Sequence, residues 1–276
     1  MSLYPQPDKY RCGPFALKYA LVMLGIFKHE DQISILAGST WWAGTDEIGL
    51  AKAAKKFKCK MKYLQSDIPE EAKHLLDAEL NAGFPCILSV DNWEHWCTVV
   101  NHSKGNYVVI DSGMEKVVNV KSTKQLLEYW RYKDDEMLSY DAYSIHPKFK
   151  INTKAKFTPS IAREVMKKRK AELAVKWDLY FNDMISICEP RLKHGINSIS
   201  FNEFLRRNQK YIVESVANWH GVPAYEELEM VLENMKTIAK VYDLIIPNEE
   251  EKHAIVDITS VLMMYSCGKY GMNPIY

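Results

Sequence analysis

The chain has 276 residues, 47% hydrophobic and 26% charged, which is long enough to bury a core without disulfide staples and too apolar for a disordered chain. With 36 Lys+Arg against 35 Asp+Glu the net charge is +1, which disfavours a nucleic-acid binder that draws its affinity from phosphate neutralisation. Six cysteines are too sparse for a disulfide scaffold, and no Cys-x-x-Cys or paired Cys/His spacing argues for a metal.

In chain order, the opening MSLYPQPDKY is polar and lacks the apolar run of a signal peptide, and no later apolar stretch is long enough to span a bilayer. The expectation is a reduced, cytoplasmic protein without a membrane segment. Residues Gly13 to Gly25 carry apolar side chains at helical spacing and end on glycine, a usual helix stop. Thr45 to Lys56 opens with a capping-type Thr and two acids and turns basic, matching the helix dipole at both ends. Pro69 to Ala82 repeats that logic, with Pro first, acids next and Gly83 after. Short β-branched runs follow at Pro85–Val90, Trp96–Asn101, Tyr107–Asp111 and Lys116–Val120, separated by turns such as Lys104-Gly105-Asn106. Helices followed by an antiparallel sheet make an α+β domain.

From Pro159 onward helical periodicity dominates. Ile161–Asp178, Ser200–Trp219, Ala224–Leu244 and Glu249–Tyr265 read as helices, the second opening on a Ser200-x-x-Glu203 capping box. The basic, aperiodic segment His146–Pro159 reads as a linker. The expected organisation is an α+β domain over 1–148 and an all-helical domain over 155–276. The run Lys167-Lys168-Arg169-Lys170 reads as a solvated helix face rather than a binding signal.

Nucleophilic catalysis by cysteine needs a thiolate, a base beside it, a group orienting that base and donors for an oxyanion. Cys12 directly precedes the first helix, where unpaired N–H groups and the positive dipole end favour the thiolate; Gly13 would let a substrate backbone approach. His95 opens one strand and Asp111 closes the next. If the two pair through the turn at Gly105, imidazole and carboxylate meet at one end of the hairpin, leaving the second ring nitrogen to face sulfur. The side-chain amide of Gln6 and the backbone N–H of Cys12 are candidate oxyanion donors.

These residues resemble a family. Gln6-x5-Cys12-Gly13-Pro14, Trp93-x-His95-Trp96 and Asp111 one hairpin later look like papain-like cysteine peptidases, and within them most like the bacteriocin-processing peptidases that cut after double-glycine leaders. Gly44-Thr45-Asp46-x3-Leu50 is also similar to that family's threonine–leucine helix start. The resemblance covers roughly residues 1–145. It implies a papain-like fold, Cys12 as nucleophile, His95 as general base, Asp111 as orienter and Gln6 as oxyanion donor, with no cofactor or metal and a peptide or protein as substrate. Arg11 stands where that family often has Asp, and Ser112-Gly113 follows Asp111 where it often has Pro.

Taken singly, each residue has a plainer explanation. A cysteine is often a small buried hydrophobe, a histidine a satisfied core residue and a strand-end Asp a turn former. Their order together favours the triad. Cys59, Cys86 and Cys97 fall in strand-like runs and are expected in the core. Trp41, Trp42, Trp93 and Trp96 are candidates for the substrate-side wall, with core packing as the alternative. The favoured function is a thiol hydrolase cleaving an amide. The alternatives are an acyltransferase or transglutaminase-type enzyme with the same triad, and a helical interaction protein with an inactive peptidase-like domain. The C-terminal helices are expected to serve a protein partner or self-association, and neither nucleic acid nor membrane is expected as a partner.

Overall fold

The apolar run after Arg11 forms α1 over Cys12–Met23, and every residue of it is buried. A computed structural model describes residues 3–151, 153, 155–167, 177–191, 197–220 and 222–271. In the first of two compact units, residues 1–177, α2 (Glu30–Ala37) and α3 (Glu47–Lys56) follow α1. The side chain that caps α3 is Asp46, which accepts from the Gly49 N–H at 2.7 Å, one residue later than the Thr45 start read from the sequence. Helix α4 (Pro69–Ala82) begins on its proline and ends on Gly83 in the left-handed conformation, as the pattern predicts.

The strands are β1 (Cys59–Ser66), β2 (Cys86–Val90), β3 (His95–Ser103), β4 (Asn106–Ile110), β5 (Val118–Ser122), β6 (Tyr132–Lys133) and β7 (Leu138–Pro147), with α5 (Thr123–Trp130) between β5 and β6. They form one antiparallel sheet in the order β1-β7-β2-β3-β4-β5, with β6 paired to β7. One face of the sheet shares a core with α1, in which Ile87 and Ile145 of the sheet join Leu17 and Leu21 of α1, Ile33 of α2 and Leu50 of α3. The Thr98 hydroxyl stitches the two layers by donating to the Ala16 carbonyl at 2.7 Å. The other face carries Leu76 and Leu80 of α4 and Leu126 and Trp130 of α5 against Leu88, Val90 and Cys97. A helix apolar on nearly every side lies inside rather than on a surface, and the one charge α1 carries, Lys18, is buried with it, paired to Glu30 of α2 at 2.7 Å.

Helix α6 (Pro159–Lys167) lies within the first unit, and its Arg163 donates to the Asn106 side chain at 3.1 Å. The second unit, residues 178–276, is mainly helical. Its helices are α7 (Trp177–Ile187, whose first residue belongs to the first unit), α8 (Phe201–His220), α9 (Val222–Tyr242) and α10 (Glu251–Tyr270). It also carries a small antiparallel sheet of β8 (Glu189–Pro190), β9 (Ser198–Ser200) and β10 (Leu244–Pro247) in the order β8-β10-β9, which helical periodicity did not disclose. Ser200 accepts from the Glu203 N–H at 3.2 Å, as its capping position predicts. Lys168, Arg169 and Lys170 of the basic run lie outside the described residues. Among the described residues no helix is long and apolar enough to cross a membrane.

Candidate active site

The hairpin is where local sequence sets the site. Lys104 and Gly105 both have positive φ, 50° and 68°, the conformation a two-residue turn requires between right-twisted strands. From that turn β3 and β4 pair Ser103 with Asn106, His102 with Tyr107 and Asn101 with Val108. The register then slips, so that Val99 faces Val109 and Thr98 faces Ile110. The slip is a bulge of one residue. Continued past Ile110, the shifted register sets Asp111 opposite Cys97; without the bulge it would fall opposite Thr98, whose side chain points to α1. Since one residue of slip exchanges sheet faces, the bulge turns Asp111 onto the face of Cys97 and His95.

There the His95 Nε2 lies 2.7 Å from Asp111 Oδ1. Asp111 is 1% exposed, and its other oxygen accepts from the Tyr129 hydroxyl at 2.7 Å, while the Gly113 N–H donates to Oδ1 at 2.9 Å. Burial would raise the Asp111 carboxyl, but the hydrogen bond and charge of His95, followed by Tyr129 and Gly113, outweigh it and hold the group below its ordinary value. For His95, burial alone would lower the imidazole. Hydrogen bonds to Asp111 and to Cys12, and the charges of both, override it and raise His95 to about 9. With Nε2 committed to Asp111, Nδ1 is the nitrogen left for the Cys12 sulfur.

His95 is reached through an unusual backbone. Asp91, Asn92 and Trp93 all have positive φ, 53°, 53° and 69°. Such a run costs energy unless neighbours over-determine it. Here the Asp91 N–H donates to the Tyr129 carbonyl at 3.1 Å and the Lys133 N–H to the Asn92 side chain at 3.3 Å. Trp93 stacks on Tyr132 at 3.8 Å and donates through Nε1 to Asp141 at 2.9 Å.

Cys12, His95, Asp111 and Gln6 all line one groove of about 1310 Å³, together with Trp42, Trp93 and Trp96. Trp96 is fixed by donating to the Thr45 carbonyl at 2.9 Å. Trp41 is not among the lining residues; it stands 75% exposed, edge-on to Trp42. The floor continues across β2 and β7 through Ser89, Asp141 and Tyr143. Gly13 has a different reason from close substrate approach: a Cβ there would meet the Thr45 side chain at 2.9 Å, so the glycine lets α1 and the start of α3 close up. Gly113 matters more to the site, since a Cβ there would lie 3.1 Å from two atoms of the His95 ring. Cys59, Cys86 and Cys97 are buried, and burial pushes all three thiols up, most strongly those of Cys86 and Cys97.

Tyr129 and Asp141 had no signal in the sequence that marks them as site residues, because their roles arise from α5 and β7 folding onto the hairpin, and Gly113 was visible only as part of the departure that follows Asp111. Ser112, beside Asp111, was visible as a departure from the family pattern, without a stated role.

Residues 1–133 match the Peptidase C39 family. Solved structures similar to the chain include the peptidase domain of Streptococcus ComA, a bi-functional ABC transporter involved in a quorum-sensing pathway, at 20% identity and TM-score 0.43, covering 53% of this chain and 98% of that one. A double glycine motif protease from an AMS/PCAT transporter, solved with its leader peptide, is 15% identical with TM-score 0.41, covering 53% of this chain and 91% of that one. The peptidase domain of Streptococcus mutans ComA with a small-molecule inhibitor is 21% identical with TM-score 0.38, covering 53% of this chain and all of that one. No curated protein matches the sequence. The N-terminal half of this chain has the papain-like fold of a cysteine-type peptidase domain, and its residues 1–133 match the Peptidase C39 family model.

Proposed function

We propose that the chain hydrolyses a peptide bond with Cys12 as nucleophile, His95 as acid and base, Asp111 as orienter and Gln6 as oxyanion donor. The observation that carries this reading is the 2.7 Å His95–Asp111 contact, made in the groove that Cys12 shares at the head of α1. The Cys12 thiolate attacks the scissile carbonyl carbon, and the carbonyl pair moves onto oxygen, where the Cys12 backbone N–H and the Gln6 side-chain amide receive it. The intermediate collapses as the His95 imidazolium gives its proton to the leaving amine. The neutral imidazole then takes a proton from water, whose oxygen displaces the Cys12 thiolate from the acyl carbon, restoring the starting thiolate and imidazolium. Trp42, Trp93 and Trp96 supply walls for the substrate backbone. Six cysteines without disulfides suit a reducing compartment, and we place the protein in the cytoplasm on that ground.

A peptidyl electrophile followed by peptide mapping tests the assignment. Labelling of Cys12 at neutral pH, lost with His95→Ala, is the expected result. Full peptidase turnover in Cys12→Ala would remove the reading. Adding an amine to the assay and weighing the products separates hydrolysis from acyl transfer.

A further inference from the structure

We propose that Ser112 is a positioning residue whose hydroxyl orients the Gln6 carboxamide, so that an amide N–H rather than the carbonyl oxygen faces the oxyanion formed at Cys12. The inference rests on the role given to Gln6 above. A glutamine side chain ends in two groups of similar shape and opposite polarity, and half a turn about its last bond exchanges them. A carbonyl oxygen aimed at a developing oxyanion would repel it. Gln6 sits in an irregular segment before α1, so regular backbone bonding does not fix it.

Three hydrogen bonds do. The Gln6 N–H donates to the Ser112 carbonyl at 2.9 Å, the Ser112 hydroxyl donates to Gln6 Oε1 at 2.6 Å, and Gln6 Nε2 donates to the Asp8 carbonyl at 2.7 Å. The Asp8 carbonyl only accepts, so it holds Nε2, and Ser112 holds the oxygen at the other end. A flipped amide would lose the Asp8 bond and set two oxygens against each other. One N–H of Nε2 then remains for the substrate. Ser112 is 1% exposed and follows Asp111, so one turn holds both the carboxylate that orients His95 and the side chain that receives the oxyanion. Upstream the segment is anchored by Tyr4, whose carbonyl accepts from the Tyr19 hydroxyl at 2.6 Å and whose ring lies 4.2 Å from Lys18 Nζ.

Two reagents that attack the same sulfur separate orientation from mere packing. With p-nitrophenyl acetate a sulfur–carbon bond forms, the carbonyl pair moves onto oxygen, and p-nitrophenolate leaves as it returns. With iodoacetamide the sulfur displaces iodide and no oxyanion forms. Rates are read on the full chain after subtracting Cys12→Ala, which removes the background of the partly exposed Cys267. Ser112→Ala is expected to slow acetylation roughly five- to tenfold, the worth of one hydrogen bond, and to leave alkylation unchanged. Gln6→Ala is expected to slow acetylation about 100-fold. The double variant is expected to be no slower than Gln6→Ala, because Ser112 acts through Gln6. Ala removes one oxygen without adding bulk, and an unchanged alkylation rate reports that turn and thiol survive. Equal loss in both reactions, or a Ser112 effect that persists in the Gln6→Ala background, overturns the proposal. If Gln6→Ala slows acetylation and Ser112→Ala does not, the proposal falls and the oxyanion reading stands. If Gln6→Ala itself changes nothing, both fall, while the Cys12–His95–Asp111 assignment survives.

Discussion

The two sides of the groove are held by opposite means. Cys12 heads a helix buried along its whole length, so its position is set by packing against the sheet and against α2 and α3. His95 comes just after three left-handed residues; it bonds to Asp111, which Tyr129 holds in turn, and the segment before it is tied down through Asn92 and Trp93. Packing is costly to disturb anywhere along α1, because a close-packed core transmits strain. A polar scaffold can be dismantled one bond at a time with the fold intact. Substitutions on the nucleophile side should therefore show first in stability, and those on the base side first in rate.

Asp111→Asn is the sharpest way to break that contrast. It keeps the shape but can present an amide N–H to Nε2, fixing the wrong tautomer; peptidase kcat is expected to fall by roughly 10²- to 10⁴-fold, out of proportion to the fall in thermal midpoint that loss of the charged pair brings. A large fall in Tm with a modest loss of kcat would reverse the argument. On the other side, Leu17→Ala in α1 removes a fully buried side chain and is expected to cost about 2–5 kcal/mol in denaturant unfolding, with turnover per folded molecule nearly unchanged. Trp93→Ala should act between these extremes. It loses the bond to Asp141 and the stack on Tyr132 but vacates a side chain 43% exposed. A fall in kcat of about tenfold is expected, with less than about 1 kcal/mol in stability.

Titration sharpens the same contrast. His95 is raised from 6.5 to about 9, so the stability its pairing contributes is complete below about pH 6.5 and is lost as pH climbs through about 9. Asp111 is held below its ordinary value, so its contribution is present above the usual carboxylate range and is lost on acidification through the lowered value. Unfolding midpoints of the wild type and His95→Gln should therefore converge at alkaline pH. Peptide hydrolysis, which needs the imidazolium as acid, should fall above about pH 9, while alkylation of Cys12, which needs only the thiolate, should not. Parallel loss of both reactions would count against the assigned acid.

What the sequence disclosed follows the same division. Helices α1 and α4 and the β3–β4 hairpin were legible because each is fixed by residues near in the chain: apolar spacing, Pro69 and Gly83, and the Lys104-Gly105 turn. Strand β7 was not, although it lies between β1 and β2 within the sheet. It buries Ser139, Asp141 and Ser144, which read as loop or surface residues until their partners appear. Ser139 donates to Asp141 at 2.7 Å and Ser144 to Glu79 of α4 at 2.9 Å, and such distant pairings leave no local period. The bulge between Val99 and Asn101 was equally invisible, and with it the reason Asp111 faces His95. The four tryptophans show the limit of composition: neighbours in sequence, Trp41 and Trp42 part company at the groove.

The smallest expected effect concerns charge. Besides Asp111, the groove is lined by Asp8, Asp46, Glu47, Asp91, Glu94, Glu115 and Asp141, with Lys9 as its lysine. Asp8 lies 3.1 Å from Arg11 and Asp111 pairs with His95, and the remainder still leave a negative field in a concave space, where low-dielectric walls concentrate it. Between two test peptides that differ only in Lys or Glu near the scissile bond, the lysine form should show a kcat/KM several-fold higher. Because the Debye length shrinks from about 10 Å at 0.1 M salt to about 3 Å at 1 M, the preference should narrow as salt rises if it comes from steering, and persist if it comes from direct contact with a buried carboxylate such as Asp141. Equal rates for the two peptides at low salt would show that the lining acids are neutralised within the fold. The contrast between the two sides of the groove would then rest on Cys12, His95 and their immediate supports alone.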